Sequence, residues 1–251
     1  MEFTFGIITD GSNDELIKRI VHSVEIQNID TYEIIVVGNS AIQAARTRVI
    51  PFDETVKQGW ITRKKNIICQ NATYENIVLL HDYVSLDKDW YKGFVEFGNN
   101  FQFCINPVKT NDGRRFRDYA IYNGSIPTLF QGCCLLPYDY EPRNIIRKLL
   151  YISGTYYVIK RDIARLYPLN EDLLHGRGED VELSHRLSTN GIYIVCNPHS
   201  SVSLMKEKAQ TEWENEVTDE HITLLDSLPD DVLEKIFENQ RIQLREFIAR
   251  T

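Results

Sequence analysis

The sequence predicts an α/β fold in which helices flank a mostly parallel central sheet. Three largely apolar runs, at residues 3–8, 33–37 and 76–80, are typical of strands that are buried on both faces. Between the first two runs, apolar residues recur at helical spacing: Leu16, Ile17, Ile20, Val21 and Val24. A strand, a helix and a second such strand in succession indicate a parallel sheet.

The rest of the chain adds further elements. Four more strands are predicted at residues 48–52, 101–105, 155–159 and 192–196. Residues 179–187 show the apolar spacing of a helix, which Asn190 and Gly191 end. Residues 107–147 carry Gly, Pro, Asp and Tyr without a clear period, which predicts a long loop.

The C-terminal segment predicts a helical extension. Residues 227–230 form a capping sequence with Pro229 in the first turn. Six apolar residues then recur at helical spacing: Leu233, Ile236, Phe237, Leu244, Phe247 and Ile248. Such a helix docks either on the body of the protein or on another subunit, as in a homo-oligomer. We therefore divide the chain into a single domain at residues 1–210 and an extension at residues 211–251.

Composition excludes several classes of function. The chain has 251 residues, of which 43% are hydrophobic, and a net charge of −8, which argues against a protein that grips a nucleic-acid backbone. Its five cysteines are odd in number and lack paired metal-ligand spacing, so we expect buried, reduced thiols. No signal-peptide pattern opens the chain, and no apolar run approaches the ~20 residues of a membrane span. The sequence predicts a cytoplasmic protein without a membrane span.

Polar clusters occur where ligands bind in such folds, outside the carboxyl ends of the strands. Four of them lie at residues 9–12, 38–40, 81–83 and 173–180. Asp82 beside His81 is suited to a divalent cation that neutralises phosphate. Glu179 and Asp180 follow two glycines at a predicted helix start, where negative charge is stabilised; capping of that helix is the alternative reading. A basic island at residues 63–66 is either a solvated turn or the cationic partner of a phosphate.

These residues, in this order, resemble the GT-A fold glycosyltransferases of family 2, which use nucleotide sugars. The most specific match is residues 168–187, where a Gly-Glu-Asp turn leads into an amphipathic helix. The resemblance implies a GT-A, Rossmann-like sheet with a nucleotide-sugar-binding half at residues 1–106 and an acceptor-binding half at residues 107–210. It assigns the donor nucleotide to Thr9, Asp10, Gly11, Asn39, Ser40, Arg63, Lys65, Asn66 and His81. It assigns acceptor or sugar binding to Gly154, His175, Arg177 and Gly178.

The resemblance also implies a divalent metal, Mn2+ or Mg2+, at the donor. Asp82 falls at the family's Asp-x-Asp metal motif, and His199 resembles a third metal ligand, although a loop histidine without a ligand is the alternative. Imidazole and carboxylate ligands together suit manganese better than calcium. Two positions depart from the family pattern. Asn39 stands where an acidic residue often contacts the base, and Tyr83 stands where a second Asp is common, which predicts a weaker metal site.

The activity that the resemblance implies is transfer of a hexosyl or N-acetylhexosaminyl unit to a hydroxyl acceptor, such as a growing glycan. A UDP-sugar is the expected donor, from its frequency in the family. Asp180 is the expected base and Glu179 orients a substrate, which makes the enzyme inverting; if Asp180 only positions a substrate, the enzyme is retaining. Residues proposed as acceptor walls, because aromatic rings stack on sugars, are Tyr119, Tyr122, Tyr138 and Tyr140, with Arg143.

Two other classes of function stay open. A catalytically inactive GT-A domain that binds a nucleotide or sugar is favoured by the weakened metal motif and disfavoured by the intact Gly-Glu-Asp turn. A nucleotidyltransferase on a related sheet is disfavoured, because the N-terminal region lacks a Gly-rich phosphate loop with Arg and Lys.

Overall fold

The computed structural model describes residues 1–123, 132–208 and 214–249, with the backbone alone for residues 122–123, 132 and 214–215. The strands in these ranges are β1 (Phe3–Ile8), β2 (Tyr32–Val37), β3 (Thr47–Ile50), β4 (Asn76–His81), β5 (Val84–Leu86), β6 (Phe103–Ile105), β7 (Val108–Lys109), β8 (Ala120–Asn123), β9 (Gly132–Leu135), β10 (Leu150–Tyr151), β11 (Tyr156–Lys160), β12 (Ile194–Cys196), β13 (Val202–Leu204) and β14 (Glu214–Glu216). The helices are α1 (Asp14–Glu25), α2 (Ile61–Asn71), α3 (Trp90–Phe97), α4 (Asn144–Arg147), α5 (Arg161–Leu166), α6 (Glu179–Thr189), α7 (Asp219–Ser227) and α8 (Asp230–Ala249).

Seven strands form the central sheet, in the order β12-β6-β11-β4-β1-β2-β3. Strands β4, β1, β2 and β3 are parallel, whereas β11 runs antiparallel to both β4 and β6. The predicted mostly parallel α/β sheet is confirmed. Ile8 lies beside both Val37 and His81, so β1, β2 and β4 end at the same level. The polar residues that follow these strands are therefore delivered to one edge.

Helices cover both faces of this sheet because apolar side chains line each interface. Trp90 of α3 packs on Phe3 with ring centroids 5.1 Å apart, and its indole N–H donates a 2.9 Å hydrogen bond to the Tyr156 hydroxyl. Helix α2 crosses β1 closely, since a Cβ on Gly6 would lie 2.3 Å from the Ile68 side chain. The missing side chain of Gly6 thus sets the approach of α2 to the sheet.

The basic island at residues 63–66 is not a solvated turn, which corrects that reading. It lies in α2, where Lys64, Lys65 and Asn66 are buried together with Ile61 and Ile68. Lysines on the buried face of a helix interrupt the apolar period from which a helix is recognised. Their ammonium groups are satisfied by hydrogen bonds to carbonyl oxygens instead of by water.

Residues 107–147 are also more ordered than predicted, because strands and a short helix interrupt the expected loop. Strands β8 and β9 belong to a four-stranded sheet of order β10-β8-β9-β14, and β7 belongs to a three-stranded sheet of order β5-β13-β7. In the second of these sheets, Leu204 lies opposite Val84, and the Met205 N–H donates to the Tyr83 carbonyl. This pairing leads residues 205–208 past the 81–83 cluster.

The C-terminal helices dock on the body of the same chain, which is one of the two arrangements that the sequence left open. In α8, Leu233 and Phe237 are buried, and the Phe237 ring stacks on His185 of α6 at a centroid distance of 4.2 Å. Arg143 and Tyr140 bind α8 and α7 through Asp230 and Asp226. The predicted domain boundary at 210 and 211 lies outside the described residues.

Two further expectations concern cysteines and membranes. The five cysteines, all within the described residues, form no disulfide with one another; Cys69, Cys104, Cys133 and Cys134 are buried and Cys196 is half-buried. Within the parts of the chain that the structure describes, no helix combines the length and the apolar character that crossing a membrane needs.

Candidate functional site

The carboxyl ends of β1, β2 and β4 form a polar edge around Asp82. The Thr9 hydroxyl donates a 2.8 Å hydrogen bond to Asp82 Oδ2, and the Gly11 N–H donates to Thr9 Oγ1 at 3.0 Å. Gly11 has a φ of +92°, and a Cβ there would lie 2.3 Å from the Asn39 carbonyl oxygen. Glycine alone lets the two loops approach this closely. Three of the predicted polar clusters therefore meet, and we call this region the strand-end edge (residues 9–13, 38–40 and 81–83).

Two other predicted donor residues lie on this edge in different ways. Asp10 is exposed, and hydrogen bonds from the Ser12 hydroxyl (2.6 Å) and N–H (2.9 Å) lower its pKa. The Ser40 hydroxyl donates a 2.6 Å hydrogen bond to Asp14 in the first turn of α1. Asp10 thus faces solvent as an anion, whereas Ser40 orders the loop after β2.

The surroundings of Asp82 do not form a strong metal site. Asp82 Oδ2 accepts from Thr9 and, at 3.3 Å, from Asn13 Nδ2, while Oδ1 lies 3.9 Å from Lys206 Nζ. A cation so close repels a second cation. Tyr83, at the position of the family's second Asp, is buried beside two ammonium groups: those of Lys206 and Lys208 lie 5.4 and 4.6 Å from its ring centroid.

The structure does not bring His199 to Asp82, so their predicted pairing as metal ligands is corrected. His199 Nδ1 lies 3.3 Å from Glu96 Oε1 on α3, and a Cβ on Gly93 of the same helix would clash with the His199 carbonyl. The β5–β13 ladder explains the separation, because it aligns residues 204–206 with the Asp82 end and carries residue 199 away from it. Among the described residues, no three His, Cys, Asp or Glu side chains converge as metal ligands. The residues present therefore do not fit the divalent metal that the resemblance implies.

A second cluster forms where the loop before β11 meets the start of α6. The Gly154 N–H donates a 2.8 Å hydrogen bond to Asp180 Oδ2, and the Val181 N–H donates to Asp180 Oδ1 at 2.9 Å. Lys65 is almost fully buried beneath this loop, and its ammonium donates a 2.6 Å hydrogen bond to the Gly154 carbonyl. A Cβ on Gly154 would lie 3.3 Å from Glu179 Oε1 and 3.4 Å from Lys65 Nζ. Gly154 thus allows a cation and two carboxylates to crowd around one peptide.

Burial shifts the pKa values of Glu179 and Lys65 in this cluster. Burial, and then the charge of Asp180, raises the pKa of Glu179 above its usual value of 4.5, against the opposing effect of Lys65. Burial lowers the pKa of Lys65, while Glu179 and Asp180 act to raise it. A carboxyl group with a raised pKa beside a cavity is a candidate for proton transfer. The predicted assignment of Lys65 to the donor diphosphate changes, since its ammonium faces the Gly154 loop.

Arg63 and Asn66, which were predicted to contact the nucleotide, lie elsewhere. Arg63 Nη1 is 3.0 Å from Glu171 Oε1. The Asn66 side chain donates to the Leu169 carbonyl and to Glu171, and accepts the Leu169 N–H, all within 2.9 Å. Both residues thus hold the segment before the Gly-Glu-Asp turn, and neither contacts the strand-end edge.

A cavity of about 750 Å3 joins the two regions. Residues of the predicted site on its wall are His81, Gly154, His175, Gly178, Glu179 and Asp180. Arg177 is exposed and is not part of this wall. The C-terminal helix adds Gln240, Gln243, Leu244 and Phe247 to the lining. A cavity of this volume is in the range that holds small molecules.

His81 lies between the strand-end edge and the cavity. Its ring is buried, and Nε2 has no hydrogen-bond partner among the described residues. Burial is the main cause that moves its pKa well below 6.5, and the charges of Lys65, His175, Lys208 and Lys64 act in the same direction. His81 is therefore neutral at physiological pH, and the residue lines the cavity while Nε2 itself stays buried.

Several functional candidates escaped the sequence reasoning. Lys206, Lys208 and the cavity-facing side of α8 carry no motif; the helical spacing of Leu244 and Phe247 was the one available signal. The tyrosines that were proposed as acceptor walls do not line the cavity where they are described. Tyr138 donates to Asp118 and Tyr119 to the Tyr140 carbonyl. The Tyr122 side chain lies outside the described residues.

Comparison with solved structures defines the class of fold. A crystal structure of GalNAc-T7 with UDP, GalNAc and Mn2+ matches 85% of this chain, with a TM-score of 0.59 and 14% identity. A crystal structure of S. aureus TarS 1-349 in complex with UDP-GlcNAc matches 94% of this chain, with a TM-score of 0.55 and 13% identity. A further S. aureus TarS structure matches 94% of it, with a TM-score of 0.53 and 14% identity. The protein therefore has the GT-A fold, as the sequence resemblance predicted.

These likenesses have a limited extent. This chain covers 44% of the GalNAc-T7 chain, 70% of the TarS 1-349 chain and 42% of the other TarS chain. No family model matches the sequence. No curated protein matches it either.

Proposed function

We propose that this protein is a glycosyltransferase that moves a sugar from a nucleotide diphosphate sugar to a hydroxyl acceptor. The observation that carries the proposal is the continuity of the strand-end edge with a cavity that Glu179 and Asp180 line. The sugar donor and the hydroxyl acceptor must lie side by side, within reach of a carboxylate, and the junction of the edge and the cavity allows this arrangement. A UDP-sugar is the proposed donor, because the matched structures of GalNAc-T7 and TarS 1-349 contain UDP and UDP-GlcNAc.

The nucleotide is proposed to lie against the strand-end edge. Loop backbones at Gly11 and Asn39 approach each other there without side chains between them, and the Asn39 side chain is exposed. An amide offers both a donor and an acceptor to a base, as a carboxylate does not. Asn39 is thus suited to read a pyrimidine ring in the place of the acidic residue of the family.

Asp180 is the proposed base. In the transfer step, the bond between the sugar C1 and the diphosphate oxygen breaks, and its electron pair stays on that oxygen. The acceptor oxygen forms a new bond to C1. The acceptor proton passes to a carboxylate. The two backbone N–H groups on Asp180 fix its orientation, which favours a defined proton acceptor. The inverting outcome is proposed from the family resemblance. Glu179 is the alternative base, since its raised pKa favours proton uptake near neutral pH.

A divalent metal was expected at Asp82, and the residues present do not fit it. When bound in such a site, the metal neutralises the diphosphate and the leaving group. Here one carboxylate, already hydrogen-bonded and close to a lysine, is the only one that Asp82 and its neighbours in sequence offer. The proposed transfer step therefore uses no metal held by Asp82.

The lysine beside Asp82 also favours a second candidate function, a binding module for nucleotides or sugars without transfer activity. Release of UDP from a panel of UDP-sugars, with and without simple sugar acceptors, separates the two. A transferase releases UDP faster than its Asp180→Asn variant does. A binding module binds the same UDP-sugars, in calorimetry, without releasing UDP. A protein that neither binds nor cleaves any nucleotide sugar contradicts both.

A further inference from the structure

Two lysines of the segment after β13 converge on the strand-end edge. The β5–β13 ladder continues into the hydrogen bond from the Met205 N–H to the Tyr83 carbonyl. Lys206 Nζ consequently lies 3.9 Å from Asp82 Oδ1, and Lys208 Nζ lies 4.6 Å from the Tyr83 ring centroid. Both ammonium groups therefore occupy the neighbourhood in which the family resemblance places a metal ion.

The influence of the two lysines reaches both halves of the site. At His175, on the wall of the cavity, burial is the largest cause of the lowered pKa and the charge of Lys208 is the next. The charge of Lys206 is a minor contribution to the lowered pKa of Asp10. The field of these cations thus extends from the first loop of the strand-end edge to the wall of the cavity.

The other lysines near this edge already have partners. Lys64 donates a 2.8 Å hydrogen bond to the Thr9 carbonyl and pairs with Glu54, and Lys65 donates to the Gly154 carbonyl. Both are buried. Lys206 is different, because its side chain is 41% exposed and its distance to Asp82 exceeds that of a hydrogen bond. It can turn toward an anionic ligand without breaking a hydrogen bond to Asp82.

We propose that Lys206 and Lys208 bind the donor diphosphate and stabilise the leaving nucleotide diphosphate, in place of a protein-bound divalent metal. This inference rests on the proposed function. When the bond between C1 and oxygen breaks, the electron pair stays on the diphosphate oxygen and adds one negative charge to it. Two ammonium groups on flexible stems can follow that charge as it develops. No redox change and no further reactant are involved.

The proposal is tested by calorimetric binding of UDP and of uridine in EDTA. Uridine keeps the base and lacks the diphosphate, so it reports whether the nucleoside site is intact. Hydrogen bonds to a charged group are worth roughly 10- to 100-fold in affinity each. We expect wild-type protein to bind UDP in EDTA. We expect Lys206→Met with Lys208→Met to weaken UDP binding by about 100-fold or more and to leave uridine binding unchanged.

Matched variants identify the cause of any loss. Lys206→Arg with Lys208→Arg keeps both positive charges and should retain most of the affinity for UDP. Lys18→Met removes an exposed lysine of α1 that pairs with Glu15, and it should bind UDP as the wild type does. Thermal melting of each variant shows whether it is folded.

Three results overturn the proposal. The first is wild-type UDP binding that is lost in EDTA and restored by Mn2+, and the second is a double Met variant that binds UDP as tightly as wild type. The third, wild-type protein that binds neither UDP nor uridine, overturns the proposed function as well. Lysine-dependent UDP binding in a protein that transfers no sugar would uphold the contact with the diphosphate, but it would overturn the leaving-group role together with the transferase.

Discussion

Asp180→Asn is the most direct test of the base assignment, because the substitution should change both the stability and the turnover of the protein, and the two changes can be measured separately. The carboxylate accepts one N–H on each oxygen, from Gly154 at 2.8 Å and from Val181 at 2.9 Å. An asparagine has one acceptor oxygen, so its amide group must face one of these N–H donors. Loss of that hydrogen bond should lower the free energy of unfolding by about 1–3 kcal/mol. Loss of the base should lower turnover by about two to four orders of magnitude.

The two effects are measured separately. Urea denaturation gives the change in the free energy of unfolding, and UDP release at saturating donor gives turnover; donor affinity should stay close to that of wild type. Glu182→Gln is the matched control. It removes a carboxylate from the same first turn of α6, but Glu182 pairs with Arg186 and does not line the cavity. If Asp180→Asn turns over as fast as Glu182→Gln, Asp180 is not the base.

Two further predictions concern Glu179 and the C-terminal helix. Burial and the charge of Asp180 raise the pKa of Glu179, so wild-type kcat/KM should fall as the pH drops through a value above 4.5. Glu179→Gln should move this acid limb of the pH profile to lower pH. An unchanged limb would show that Glu179 is not the group that titrates. Leu233 is fully buried on the inner side of α8, so Leu233→Ala should lower the free energy of unfolding by about 2–5 kcal/mol in urea denaturation. Lys235 of the same helix is exposed, so Lys235→Ala should be near neutral. Equal midpoints for these two variants would show that α8 does not dock on the body.

The sheet could be predicted from the sequence because its strands obey a simple rule. Strands buried on both faces are rich in apolar residues, and most residues of β1, β2 and β4 are apolar. The same rule located their ends, where the change from apolar to polar residues marks the strand-end edge. The Gly-Glu-Asp turn was also predictable, since Gly178 has a φ of +73° at the N-terminus of α6 and two acidic residues follow it there.

The remainder depended on contacts between distant residues. Lys64 and Lys65 read as a surface turn because lysine is almost never fully buried, yet carbonyl groups at Thr9 and Gly154 satisfy them. His199 read as a metal ligand from its position after a strand, and the β5–β13 register decides that residues 205–208 reach Asp82 instead. Local patterns do not encode the register of a short ladder such as this one.

His81 shows why the donor and acceptor regions must be considered together. Its ring is buried among groups that include Lys64, Lys65 and Lys208, so a proton on the imidazole would add a fourth positive charge in a place with little water. The neutral ring leaves one nitrogen to donate and the other to accept. Nε2 has no partner among the described residues, and a buried polar atom without a partner is costly. A sugar hydroxyl at the junction would satisfy this nitrogen in either tautomer, because a hydroxyl both donates and accepts. A neutral His81 is thus suited to a sugar hydroxyl that reaches Nε2, whereas a phosphate, which offers no proton, would be bound only when Nε2 carries the proton.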